Sequence, residues 1–172
     1  MAYERVPQPE GCVEANISVA GIYSWLQRYN YGYLSTVSPG GQPELAMIEF
    51  GLYGDDDDQM IIFDTRVSYE KYRNMQSNPS VAFTVGDADK QQTAQIEGQA
   101  HKLSGEELAA AQTAYFEQND ARKTNRGASD LACEPDIAFF SVRPDRLRFT
   151  DVNTSSYPKA EYKRVTPEES QS

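Results

Sequence analysis

The stretch FDTRVSYEKYRNMQSNPSVAF, residues 63–83, governs the reading of the chain. It begins at the end of an apolar run, MIIF at 60–63, which has the character of a strand. TRVSYEKYRNMQS at 65–77 then places Tyr69, Tyr72, Met75 and Gln76 for a short helix that stops before Pro79. SVAFTV at 80–85 returns to strand. A helix that closely follows a strand presents unpaired backbone N–H groups and the positive end of its dipole, a geometry suited to an anion such as phosphate. Near that point Thr65 and Ser68 carry hydroxyls, Arg66 a forked guanidinium and Lys71 a compact ammonium. The same residues also read as a solvated helix face with an internal pair such as Glu70 with Arg73 or Asn74, and the segment alone leaves both readings open.

On the N-terminal side, YGYLSTV at 31–37 and ELAMIEFGLY at 44–53 flank the turn-forming SPGGQP and predict a hairpin. Before it, Val19, Ile22, Tyr23 and Leu26 recur at helical spacing, with Asn16 or Ser18 available to cap the first turn. On the C-terminal side, TAQIEGQAHKL at 93–103 alternates Ala94, Ile96, Gly98 and Ala100 against polar neighbours, as a half-buried strand does. Ser104 and Glu107 form a capping-box pattern ahead of Leu108, Ala111 and Tyr115. IAFFSV at 137–142 and RLRFTDV at 146–152 read as a closing hairpin around Pro144 and Asp145. IAFFSV is apolar on both faces, so one face meets a barrel interior and the other a helix or a second protomer. Six or seven strands in hairpin order with inserted helices predict a mainly β, antiparallel barrel with flanking α-helices, not a doubly wound parallel sheet.

The chain has 172 residues, 26 acidic against 16 basic side chains and a formal charge of −10. This length predicts one compact domain over 16–152, with tails at 1–15 and 153–172. The negative charge argues against nucleic acid and anionic membrane surfaces as partners. No basic segment leads into an apolar core, and no run approaches the ~18 apolar residues of a membrane span, so a cytoplasmic protein is expected. His101 is the sole histidine, which leaves no HExxH metal box. Cys12 and Cys133 lie outside any CxxC spacing and read as reduced structural thiols, and no metal site is expected. Asp55 to Asp58 read as a solvated turn. Arg143, Arg146 and Arg148 either grip an anionic substrate or pair with the surplus carboxylates.

TRVSYEKYRNMQSNPSVAF and the later QIEGQAHKLS, together with the strand order, resemble the flavin-binding split-barrel family named for pyridoxamine 5'-phosphate oxidase, over residues 16–152. The resemblance implies a six- to seven-stranded antiparallel split β-barrel that holds FMN in a cleft between two protomers of a homodimer, for redox chemistry on a small molecule. It puts Thr65 and Lys71 at the flavin phosphate, with Arg66, Ser68 and Asp64 beside them. It lays the backbone of Ala46, Met47, Ile48 and Glu49 against the isoalloxazine ring, and brings Gln92 or its neighbours from the partner. Two departures stand out. Family enzymes commonly carry Arg directly before the helix lysine, where this chain has Glu70, so Arg66 would supply the missing charge. Oxidases of vitamin B6 phosphates carry an Arg-x-His pair near the C terminus, whereas no histidine follows His101, so pyridoxamine phosphate is not the expected substrate. No catalytic side chain is implied, because the flavin carries the electrons. A non-catalytic flavin- or ligand-binding protein on the same scaffold is the alternative.

Overall fold

The computed structural model describes residues 2–55, 57–121, 134–153 and 158–165. Its strands are β1 (Ala2–Arg5), β2 (Tyr31–Val37), β3 (Pro43–Glu49), β4 (Gly51–Tyr53), β5 (Met60–Arg66), β6 (Ser80–Asp87), β7 (Gln92–Lys102), β8 (Ile137–Asp151) and β9 (Lys159–Val165). The helices are α1 (Val19–Leu26), α2 (Glu70–Ser77) and α3 (Gly105–Ala121). The strands form one antiparallel sheet that does not close, in the order β1-β9-β8-β7-β6-β2-β3, with β5 paired to β8 and β4 to β5. The mainly β, antiparallel architecture expected from the sequence is present, with nine strands in place of six or seven.

The split arises on β8. The expected hairpin at Pro144 and Asp145 does not form, and residues 137–151 run as one strand along β7. On its other edge the first half of β8 pairs with β5, Ile61 opposite Val142 through Arg66 opposite Ile137, and the second half pairs with β9. The change of partner falls at a β-bulge, where Glu97 faces Arg146 and Gly98 faces Pro144, leaving Asp145 as the extra residue. Proline has no N–H to give a ladder, so a bulge is where a long strand tolerates it. Gly98 is required there, because a Cβ on it would lie 2.2 Å from the Arg143 carbonyl oxygen.

Within the segments expected as tails, residues 2–5 and 159–165 are strands. β1 pairs with β9 from Ala2 opposite Val165 to Arg5 opposite Tyr162. In β9, Ala160, Tyr162 and Arg164 are buried on one face, and the inward arginine hides the apolar alternation from a sequence reading.

α1 lays Val19, Ile22, Tyr23, Trp25 and Leu26 against the main core, and the Ser18 hydroxyl caps it by accepting from the Gly21 N–H at 3.1 Å. Ile61, Phe63, Phe140 and Val142 face this core, while Ile62 and Phe139 face a second cluster under Ala111, Tyr115 and Phe116 of α3. The two-sided apolar strand at 137–142 thus meets the interior on one face and a helix on the other. Each such buried side chain contributes roughly 1.5–3 kcal/mol against exposure. Among the described residues no helix is long and apolar enough to cross a membrane.

Candidate functional site

β3 is the last strand in the sheet order, so one of its edges keeps a row of open backbone N–H and C=O groups. Its register with β2 sets Glu44 opposite Thr36 and Ala46 opposite Leu34, turning Glu44, Ala46 and buried Ile48 inward. Leu45 and Met47 point the other way and are 68% and 62% exposed. Across from this edge stands the start of α2. Its capping residue, Tyr69, is extended and supplies no side-chain hydrogen bond, so the first-turn N–H groups lack a side-chain acceptor. Between edge and helix lies a cavity of about 460 Å³ lined by Thr36, Glu44, Leu45, Ala46, Ser68, Tyr69, Glu70, Lys71 and Arg73.

The strand runs further than the sequence suggested, and this moves the expected residues. Thr65 and Arg66 belong to β5, and α2 begins only at Glu70. Ser68 and Lys71 line the cavity. Lys71 sits over the Tyr69 ring at 4.8 Å, with no carboxylate of the described residues within ion-pair distance. Burial pushes its ammonium below the ordinary lysine range, and Asp64 partly offsets this. Thr65 is only 3% exposed, and its hydroxyl has no hydrogen-bond partner among the described residues. Asp64 accepts from the Tyr115 hydroxyl at 3.0 Å, which ties it to α3.

Arg66 does not line the cavity. Its guanidinium meets Asp136 at 2.7 Å and Glu134 at 2.6 Å, because β5 and β8 pair there and bring the 134–136 segment alongside. The expected replacement for the missing family arginine is therefore bound to two carboxylates. Gln92 lies in a separate groove, accepting from the Trp25 indole N–H at 2.9 Å and donating to Asp151 at 2.8 Å. Glu49 is half-buried opposite Tyr31 on the same face as Leu45 and Met47. Of the other sequence candidates, Arg148 pairs with Glu97, Arg146 pairs with Glu161, and Arg143 donates to the Met60 sulfur at 3.7 Å. Asp58 binds Arg164 at 2.7 Å, Cys12 is exposed, and Asp56 and Cys133 lie outside the described residues. Among the described residues no three His, Cys, Asp or Glu side chains converge for a metal.

Sequence reading missed Asn74 and Glu44. Asn74 is 2% exposed, and its amide donates to Thr36 at 3.0 Å and to Glu44 at 2.9 Å, fixing that carboxylate in the cavity wall. A buried polar residue within a short helix was the available signal, but its partners lie across the sheet.

A β8 strand shared between β5 and β9, with a helix start facing an edge strand, defines a split barrel with a cleft at its rim. The sequence profile described as pyridoxamine 5'-phosphate oxidase matches residues 21–151, and the chain belongs to that family. Among solved structures it is similar to a heme-binding protein from Mycobacterium smegmatis, at 21% identity and TM-score 0.66 over 84% of this chain and 58% of that one. The chain thus spans less than two thirds of that protein. A conserved hypothetical protein from Mycobacterium tuberculosis aligns at 21% identity and TM-score 0.65, over 85% of this chain and 90% of that one. A pyridoxamine 5'-phosphate oxidase-related, FMN-binding protein from Nostoc punctiforme aligns at 16% identity and TM-score 0.60, over 79% and 82%. At these identities the likeness is one of fold. No curated protein sequence matches the chain.

Proposed function

We propose that the protein binds FMN in the cleft between β3 and α2 and uses it for electron transfer to or from a small molecule other than pyridoxamine phosphate, as a homodimer. The observation that carries this reading is the presence of two incomplete groups: a cavity-lining amine drawn partly out of water with no carboxylate of the described residues within ion-pair distance, and, on β5 outside the cavity lining, a buried hydroxyl with no partner among the described residues. A buried polar group left unmade costs free energy, and a phosphate oxygen is the partner both groups lack. The residues fit the cofactor on these grounds. Lys71, Ser68 and the first N–H groups of α2 would hold the phosphate, with Thr65 behind them. The open edge of β3 from Ala46 to Glu49 would meet the ring system by backbone hydrogen bonds.

When bound, FMN supplies a two-electron carrier, and the chain supplies position, shielding and local charge. Burial disfavours the charged ammonium of Lys71, and Asp64, held by Tyr115, partly offsets this in favour of the charged form that would meet the anion. Exposed Tyr31, Tyr33, Leu45 and Met47 form an apolar sheet face beside the cleft, which supports a second copy as its cover.

The test is a fluorescence titration of the purified chain with FMN. Lys71→Glu lowers FMN affinity by about 30-fold or more, the magnitude of a charge-assisted contact turned into a repulsion, while the folded chain is retained. Unchanged affinity in that variant refutes the phosphate assignment.

A further inference from the structure

The charges in this cleft cancel. Lys71 and Arg73 stand against Glu44 and Glu70, and all four line the same cavity. Arg73 is paired with Glu70 at 3.3 Å, and Arg66, the next cation along the chain, is held by Glu134 and Asp136. Glu44 cannot swing away, because the buried Asn74 amide grips its carboxylate at 2.9 Å. One uncommitted amine thus faces one fixed carboxylate. A phosphate monoester carries close to two negative charges above its second pKa of about 6. The first would meet Lys71; the second would find no unpaired cation among the described lining residues, which include the carboxylate of Glu44. In a cleft partly removed from water, that repulsion is screened less than at an open surface.

We infer that the cleft selects its flavin by charge, with Glu44 as the specificity-determining residue: it draws little net affinity from the flavin phosphate and disfavours flavins of higher negative charge. This rests on the flavin reading above and narrows it. Riboflavin and FMN bind within about threefold of each other, because the gain at Lys71 is offset by the repulsion at Glu44. Flavin relatives with an oligocarboxylate tail, which carry more negative charge than FMN, are excluded on the same ground.

The experiment titrates the full chain with FMN and with riboflavin near neutral pH, in the unchanged protein and in Glu44→Gln. Glutamine keeps an oxygen to accept from Asn74, so the wall is preserved while its charge is removed. The expected result is near-equal binding by the unchanged protein, and in Glu44→Gln a gain for FMN of about tenfold with riboflavin unmoved. If Glu44→Gln melts early, the unchanged protein is titrated below and above the second phosphate pKa of about 6: FMN gains on riboflavin when it is singly charged, and no gain overturns the selection. A preference of the unchanged protein for FMN of about 100-fold or more, or a folded Glu44→Gln with no gain, overturns the charge selection and leaves the flavin site standing. Failure of both flavins to bind overturns the flavin site itself, and the selection with it.

Discussion

Two places in the molecule are made of the same chemical parts and finish differently. Where the chain's ends meet the β8 bulge, Arg164 donates to Asp58 at 2.7 Å, to the Tyr3 hydroxyl at 2.9 Å and to the Pro144 carbonyl at 2.8 Å. Tyr3 also donates to Pro144, and Tyr23 donates to the Gln59 carbonyl at 2.9 Å. Burial pushes both tyrosine hydroxyls above their ordinary range, so they stay protonated as donors. In the cleft a lysine and a helix start have comparable donor capacity and lack such partners among the described residues. A polar network that is complete locks a fold, whereas an incomplete one in a cavity marks where something else must complete it.

The largest effect is expected at the closed corner. Arg164→Met leaves Asp58 and Tyr3 without their shared cation and lowers folding stability by roughly 3 kcal/mol, a fall in melting temperature on the order of 5–10 °C. Affinity for FMN in the protein that remains folded stays the same. If FMN affinity falls in step with stability, the two regions are not independent and the contrast between them fails.

A smaller and opposite pattern is expected in the cleft. Thr65→Val removes the orphaned hydroxyl at nearly constant volume, so calorimetry reads an unchanged or slightly higher melting temperature, while FMN affinity drops about fivefold. A loss of stability without loss of affinity would mean that the hydroxyl belongs to the fold. The smallest effect is one of pH. Lys71 is depressed by burial, so FMN binding weakens as pH rises through its lowered pKa, earlier than an ordinary lysine near ~10.4 would dictate. Lys71→Met abolishes the step. For folding the sign reverses: a lysine whose pKa is lowered by the fold opposes stability while charged and ceases to do so above its unfolded pKa.

How far the sequence could be read follows from how local each signal is. α1 begins just after its Ser18 cap, and β2, β6 and β7 fall within two residues of their apolar alternations. β8 was misread because Pro144 and Asp145 are turn residues, and only the facing Gly98 makes them a bulge. β9 was misread because a buried arginine occupies a core-facing position, satisfied by Asp58 more than a hundred residues earlier in the chain. In the cleft, Lys71 and Thr65 were legible from a single strand-to-helix segment. Glu44 was not, since its role depends on a register with Thr36 and a bond from Asn74, thirty residues away.

The pairing of Ala2 with Val165 brings the two ends of the described chain to one corner, at the opposite limit of the strand order from β3. A tag, a tether or a neighbouring module joined at Ala2 or at Val165 therefore starts beside the other.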